Sequence, residues 1–222
     1  MHLYLVYHDK HMVPKTRIFV ATSNPGKLRD FRGAAANLGV VIEALPGFHT
    51  VPVAVEDGHT FEQNARIKAE HYSRFLPGEL VVAEDSGLAV AALNGAPGVH
   101  SARYAALLQG DADTHKNSDD EENNRVLIEQ LEELAPEQRH GKFVCVIAGA
   151  KDGTTIQTFT GEVAGDLLTI PRGSQGFGYD PLFYYPDLGR TFAELSPEQK
   201  ANYSHRGKAF LKFLEWYVSQ MV

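Results

Sequence analysis

Two apolar patterns alternate along this chain. Short continuous apolar runs, typical of buried strands, occur at residues 17–22, 40–44, 80–83 and 88–93. Other stretches space their apolar residues as a helix does, at residues 27–38 and 60–75. The alternation predicts strands that are separated by helices, and Thr60 is a predicted N-cap of the second helix.

The second half of the chain adds a hairpin and three more helices. Apolar runs at residues 142–150 and 154–163 flank Asp152-Gly153, which favours a tight turn. Helices are predicted after the acidic stretch 111–122, over residues 197–203, and after Ser204 as a cap. These elements together predict an α/β fold with a mixed β-sheet flanked by helices.

Composition excludes several classes of protein. The net charge is −7, so the chain has no positive field to attract nucleic acid. No apolar run reaches the roughly 18 residues of a membrane span, so we expect no membrane partner. Residues 1–16 lack the pattern of a signal peptide and are interpreted as an N-terminal extension. Cys145, the single cysteine, lies in an apolar run, and we expect a buried thiol in a cytoplasmic protein.

The segment from residue 22 to residue 27 is a candidate phosphate site. It joins a predicted strand to a helix start and consists of Thr22, Ser23, Asn24, Pro25, Gly26 and Lys27. Free N–H groups at a helix start favour an anion, Gly26 would allow a ligand to approach closely, and Lys27 adds positive charge. The spacing is not that of a Walker A loop. The alternative is an ordinary helix that is capped by Ser23 or Asn24.

Two adjacent acids, Glu84 and Asp85, stand at the predicted C-terminal end of an apolar strand and precede Ser86-Gly87, where the alternative interpretation places a turn. In open α/β sheets the ligand crevice lies at that end. Mg²⁺ commonly binds through one or two carboxylates together with substrate phosphates. Neighbours on an extended chain point to opposite sides, so only one of the two acids should face a given ligand. The alternative is a polar strand end without function.

Further candidates lie elsewhere in the chain. Glu56 would add a second acid and Lys68 a cation, although each alone is more commonly a surface charge. Phe177, between two glycines, offers an aromatic face to a base. It is followed by the hydrogen-bond donors Lys200, His205 and Arg206. The alternative here is a Gly-rich turn followed by a capped helix.

In chain order, six segments resemble the inosine triphosphate pyrophosphatase family, which acts on noncanonical purine nucleotides. They are TSNPGK (22–27), TFEQNA (60–65), EDSGL (84–88), GAPG with SARY (95–104), GFGYDP (176–181) and SHRG (204–207). The resemblance implies one elongated α/β domain over residues 17–222, with two lobes, a central cleft and a homodimeric assembly. It also implies Mg²⁺-dependent hydrolysis of ITP, dITP and XTP to the monophosphate and pyrophosphate. Many bacterial members have two aspartates where this chain has Glu84-Asp85.

The resemblance also implies roles for individual residues. Asp85 would be the general base and a metal ligand, Glu56 a further metal ligand, Lys68 a phosphate contact and Ser86 a substrate contact. The triphosphate loop would be Thr22, Ser23, Asn24, Pro25, Gly26 and Lys27. The nucleoside-binding set would be Phe177, Gly178, Tyr179, Asp180, Lys200, His205 and Arg206.

A mechanism follows as a hypothesis: metal and carboxylate activate a water that attacks the α-phosphorus, and pyrophosphate leaves in line. Donors of His205 and Arg206 would accept a 6-oxo purine and reject the 6-amino group of adenine. Two alternatives stay open. Ser204-His205-Arg206 argues against a Maf-like pyrophosphatase for modified nucleotides, and retained acids at positions 56 and 85 argue against a non-catalytic nucleotide sensor.

Overall fold

The computed structural model of the protein describes residues 17–35, 39–110 and 117–220. Its centre is a seven-stranded sheet with the strand order β2-β1-β3-β4-β5-β6-β7. The strands are β1 (Arg17–Val20), β2 (Val41–Ala44), β3 (Val81–Val90), β4 (His140–Lys151), β5 (Thr154–Leu167), β6 (Phe183–Tyr185) and β7 (Arg190–Thr191). β1 pairs in parallel with β2 and β3, and the pairs from β3 to β7 are antiparallel. This confirms the predicted mixed sheet.

Helices pack around the sheet. Those in the described residues are α1 (Pro25–Ala35), α2 (Phe61–Ser73), α3 (Tyr104–Leu108), α4 (Asp120–Glu132), α5 (Pro197–Tyr203) and α6 (His205–Ser219). The side chains of Thr60 and Ser204 cap α2 and α6, as predicted. None of the described helices is both long enough and apolar enough to cross a membrane. The predicted extension 1–16, the predicted end of the first helix at 36–38, and residues 111–116 lie outside the described residues.

The two faces of β3 are covered by different helices. Helix α2 packs Ala65 and Ala69 against Val81 and Ala83 on one face. Helices α1 and α6 cover the opposite face, where Phe31, Phe210 and Phe213 surround Val82, Cys145 and Ile147. Cys145 is buried, as predicted. Because consecutive strand residues alternate between faces, the acids at positions 84 and 85 belong to different layers of the protein.

Strand β3 corrects one prediction. Separate strands at 80–83 and 88–93 with a turn between them are wrong, because β3 is continuous and pairs with β4 along its whole length. The acids therefore lie within β3 and not at its end. The parallel neighbour β1, however, ends at Val20, which pairs with Val82. Glu84 and Asp85 thus follow directly past the carboxyl end of β1, where the sheet leaves room for a crevice.

Gly87 suggested a turn, but in the structure it makes room for a neighbouring segment. A Cβ at this position would collide with the side chain of Ser101 and with the carbonyl oxygen of Gly98. The Ser101 hydroxyl also accepts a hydrogen bond from the N–H of Leu88 at 2.9 Å. Gly87 therefore allows the 3₁₀ turn Gly98–Arg103 to pack directly onto the strand.

Candidate functional site

A cavity of about 660 Å³ collects most of the residues that the sequence predicts for the site. The predicted residues that line it are Thr22, Ser23, Asn24, Lys27, Glu56, Lys68, Ser86, Phe177, Gly178, Tyr179, Asp180, Lys200, His205 and Arg206. Pro25, Gly26 and Asp85 do not line it directly. Asp85 contacts the cavity-lining Lys68, so it lies one layer behind the wall.

The segment that precedes α1 is a self-capped helix start. The Asn24 side-chain oxygen accepts hydrogen bonds from the N–H groups of Gly26 at 2.8 Å and Lys27 at 3.2 Å. The N–H of Asn24 donates to Thr22 Oγ1 at 3.1 Å. The prediction of free N–H groups is therefore wrong for these three residues, because each N–H already has an acceptor in the segment. Side chains, above all that of Lys27, are what this segment presents to the cavity.

Gly26 is small for a reason that the sequence did not reveal. A Cβ on Gly26 would lie 2.7 Å from Cδ1 and 2.9 Å from Cε1 of Phe177. The predicted close approach of a ligand to Gly26 is therefore wrong, since the aromatic ring already covers this glycine. The contact joins the segment predicted for phosphate to the segment predicted for the base.

Glu84 and Asp85 point to opposite faces of β3, as predicted. Glu84 faces α1 and α6, where it forms ion pairs with Lys27 and, at 3.8 Å, with Arg206. Burial would raise the pKa of Glu84, but Lys27 and Arg206 outweigh it and hold that pKa well below its usual value. Asp85 faces α2, where its Oδ1 accepts a hydrogen bond from Lys68 at 2.7 Å.

Lys68 joins the two acids that the sequence predicts as metal ligands. Its ammonium lies 2.7 Å from Asp85 Oδ1 and 2.8 Å from Glu56 Oε2. Burial would lower the pKa of Lys68, yet the charges of Asp85 and Glu56 prevail and raise it. Burial raises the pKa of Asp85, and Lys68 opposes that rise. The two carboxylates thus share one buried cation.

The same two carboxylates fit Mg²⁺. Carboxylate oxygens that converge from two elements on one cation are the donor type that Mg²⁺ takes, with substrate and water oxygens in its remaining positions. In the described part of the chain no group of three or more His, Cys, Asp or Glu side chains could hold a metal. Glu56 and Asp85 alone would therefore form a site that is completed by the substrate.

Asn64 is a site residue that the sequence analysis missed. It is only 1% exposed, its side-chain oxygen accepts from the N–H of Gly58 at 2.8 Å, and its side-chain nitrogen donates to Asp85 Oδ2 at 3.4 Å. It therefore connects Asp85 to the loop that carries Glu56. An amide one helical turn before Lys68, on the same buried face of α2, was the available signal.

Arg206 is buried at 2% exposure and is held on several sides. Its Nη1 donates to Asp30 Oδ2 at 2.8 Å and its Nη2 donates to Ser86 Oγ at 3.0 Å. Burial would lower the pKa of Arg206, but Glu84 and Asp30 raise it. Asp30 was not predicted, and it links α1 to the start of α6.

Phe177 lies beneath two cations. Lys200 Nζ is 4.4 Å and Arg206 Cζ is 5.3 Å from the ring centroid, within the range of cation–π attraction. Lys200 also forms a buried ion pair with Asp180, which accepts from the N–H of Phe177 at 2.8 Å. Burial raises the pKa of Asp180, and Lys200 opposes the rise. The ring is thus fixed by its own loop.

His205 is a buried imidazole that stacks on Phe143, with ring centroids 4.6 Å apart and an interplanar angle of 10°. Its Nδ1 has no hydrogen-bond partner among the residues that the structure describes. Burial, and then the charges of Arg206 and Lys200, lower the pKa of His205 well below 6.5. The ring is therefore neutral at pH 7 and offers one donor and one acceptor.

Helix α4 fixes the glycine that follows Phe177, a contact that the sequence analysis also missed. Asp120 Oδ2 accepts from the N–H of Gly178 at 2.7 Å, and Asn124 donates to the Gly178 carbonyl at 3.0 Å. Tyr179 donates from its hydroxyl to the Ser101 carbonyl at 2.8 Å. These three hydrogen bonds tie the aromatic loop to elements more than 50 residues away in sequence.

The chain is similar in sequence to known bacterial proteins. A dITP/XTP pyrophosphatase of Acidobacterium capsulatum is 49% identical over 195 residues, which are 86% of this chain and 93% of that protein. A dITP/XTP pyrophosphatase of Thermus thermophilus is 41% identical over 206 residues, 93% of this chain and 94% of that one.

The fold is also similar to solved structures of bacterial Ham1 proteins. A HAM1 protein from Coxiella burnetii superposes with a TM-score of 0.77 at 37% identity, covering 92% of this chain and 99% of that one. The Ham1 protein of Staphylococcus aureus gives a TM-score of 0.76 at 36% identity, covering 92% and 100% of the two chains. The Ham1 family model matches residues 18–216, almost the whole described region, and the chain belongs to the Ham1 family.

Proposed function

We propose that this protein hydrolyses noncanonical purine nucleoside triphosphates (ITP, dITP and XTP) to the nucleoside monophosphate and pyrophosphate. One observation carries the proposal: a single cavity is lined by Glu56 and Lys68, with Asp85 directly behind Lys68, and by a fixed aromatic ring, Phe177, beside buried donors. The first feature suits a polyphosphate and the second suits a base. The names of the two bacterial relatives support dITP and XTP as substrates.

In the proposed reaction Asp85 is the general base. It accepts the proton of the attacking water, and Lys68 and Asn64 fix its two oxygens beforehand. Lys27 and Lys68 line the cavity and would neutralise charge on the phosphates. Mg²⁺ is the proposed cofactor, held by Glu56 and Asp85. When bound, it would supply charge neutralisation and a lowered pKa for water.

Base selection is proposed to depend on Phe177, His205 and Arg206. The ring of Phe177 would stack on the purine. His205 Nδ1 and Arg206 Nε are buried, and neither has a hydrogen-bond partner in the described structure. The neutral imidazole of His205 and the guanidinium of Arg206 would donate to a 6-oxo group. Adenine presents an amino group there and would leave these donors unpaired, which is a strong basis for rejection.

We further propose a homodimer in the cytoplasm, with residues 17–222 as one domain. The buried free thiol of Cys145 fits a reducing compartment. Light scattering at several protein concentrations would test the assembly, because a constant monomer mass would contradict the dimer.

The decisive experiment measures pyrophosphate release from ITP, XTP, GTP and ATP with and without Mg²⁺. We expect release from ITP and XTP but not from ATP, and only with the metal. Guanine also carries a 6-oxo group, so the rate with GTP measures selection at the 2-amino group. Asp85→Asn should nearly abolish release without unfolding the protein, and near-wild-type turnover would remove Asp85 from the base role. Preferred cleavage of dUTP or methylated nucleotides would favour the Maf-like alternative, and ITP binding without turnover would favour a sensor.

A further inference from the structure

The paired cations of the site carry no surplus positive charge. Each has one or two carboxylate partners: Lys27 with Glu84, Lys68 with Glu56 and Asp85, Lys200 with Asp180, and Arg206 with Asp30 and Glu84. Four cationic side chains therefore meet five carboxylates. A triphosphate is strongly anionic, and the five carboxylates offset much of the attraction that the four cations of this cluster would exert on it.

Arg103 differs from these four cations. It lines the same cavity, at the end of the 3₁₀ turn Gly98–Arg103. Among the residues that the structure describes, its buried Nε has no hydrogen-bond partner and no carboxylate lies within ion-pair distance of the side chain. A buried donor of a charged group that lacks a partner is costly. At the wall of a cavity, it indicates a ligand that supplies the missing acceptor.

The turn that carries Arg103 is held firmly in place. The Ser101 hydroxyl donates to the Gly98 carbonyl at 2.6 Å and accepts from Leu88 of β3. The Ser101 carbonyl accepts from the hydroxyl of Tyr179. The turn is therefore anchored both to the strand that carries Asp85 and to the loop that carries Phe177, so the backbone from which Arg103 extends is held in place before a ligand arrives.

We propose that Arg103 binds the phosphate oxygens of the triphosphate. A guanidinium presents a planar fork of donors that matches phosphate oxygens. Each of the four paired cations must weaken or break an ion pair in order to bind the substrate. Arg103 has no such partner in the described structure. This inference deepens the proposed function and rests on it for the identity of the anion.

Two compounds each represent one half of the proposed ligand: inorganic tripolyphosphate has the phosphates alone, and inosine has the base and sugar alone. We expect Arg103→Ala to weaken tripolyphosphate binding, measured by calorimetry in Mg²⁺, by about 10- to 100-fold, the usual range for a charge-assisted hydrogen bond. Arg103→Lys should recover part of the loss, because it keeps the charge without the fork. Inosine affinity should stay within about twofold, since inosine carries no phosphate.

Arg66→Ala is the matched control. Arg66 lies at the surface of α2 and pairs with Glu62, so its removal changes the net charge equally without touching the cavity. Unchanged tripolyphosphate affinity in Arg103→Ala, or an equal loss in Arg66→Ala, would overturn the proposal. So would an equal loss of inosine affinity. Because binding needs no turnover, the result stands apart from the nucleotide assay: wild-type protein that released no pyrophosphate would contradict only the proposed function.

Discussion

The ring of Phe177 occupies the space that a methyl group on Gly26 would need. Gly26→Ala should therefore displace the ring. A change in the segment proposed to bind phosphate would then disturb the proposed binding of the base. We expect KM for ITP to rise by about tenfold, since a core overlap of this kind costs about 1–3 kcal/mol. Steady-state kinetics on ITP would measure the change.

A double-mutant cycle tests the cause of that effect. In a Phe177→Ala background the ring is absent, so adding Gly26→Ala should cost little more. If Gly26→Ala is equally harmful in both backgrounds, then the overlap with the ring is not the reason for the glycine.

Asn64→Ala should lower kcat more than it raises KM. The substitution removes the donor to Asp85 Oδ2 and the acceptor for the loop N–H of Gly58. A fall in kcat of about tenfold is expected from one lost orienting hydrogen bond. Gln63→Ala is the control, because Gln63 holds the same loop through the N–H of His59. Equal losses in the two variants would show that the loop, and not Asp85, explains the effect.

Lys200→Met should destabilise the fold. It leaves Asp180, which is 2% exposed, without its cation. Removing one partner of a buried ion pair typically costs about 3–5 kcal/mol in the free energy of unfolding. Urea denaturation at pH 7 would measure this cost, and adding Asp180→Asn should recover much of it.

The pH dependence of Lys200→Met has a definite sign. Burial already raises the pKa of Asp180 above its usual 3.8, and loss of Lys200 removes the opposing charge. The carboxyl then takes up a proton more readily in the folded than in the unfolded protein. The stability deficit relative to wild type should therefore shrink as the pH falls toward 4, and a deficit that grows would contradict this account.

His205 should make the protein less stable in mild acid. Its pKa is lowered in the fold, while the unfolded chain takes up a proton near the ordinary value of 6.5. The unfolded state thus binds more protons below that pH, and stability falls as the pH drops through 6.5 toward the folded pKa. The melting temperature of His205→Gln should change less between pH 7.5 and 5.5 than that of wild type. The exposed His49→Gln is the control and should behave like wild type.

Local signals in the sequence predicted much of the fold. Thr60 and Ser204 begin helices because their hydroxyls accept hydrogen bonds from N–H groups three residues on, and Asp152-Gly153 makes the predicted hairpin turn. The continuity of β3 was missed because polar residues and a glycine imitate a turn. Its true determinant is the pairing with β4, which lies about 60 residues away in sequence.

The sequence predicted residues that the structure brings together where each has a chemical role of its own, and it did not predict the residues that hold those in place. Lys68 and Glu56 lie together beside Asp85. Asp30 reaches Arg206 across 176 positions of sequence. No spacing rule connects two such residues, because only the packing of α1 against α6 brings them together.

Glu84 gives the cavity a property that neither end has alone. One buried carboxylate balances Lys27, which belongs to the phosphate segment, and Arg206, which lies beside the base-stacking ring. In the proposed complex, a ligand that draws Arg206 away would leave Lys27 as the one remaining cation beside that carboxylate, and so would lower the positive charge available at the other end. The two halves of the proposed nucleotide ligand would thus be thermodynamically linked through a side chain that need not touch either, and this linkage would be reciprocal.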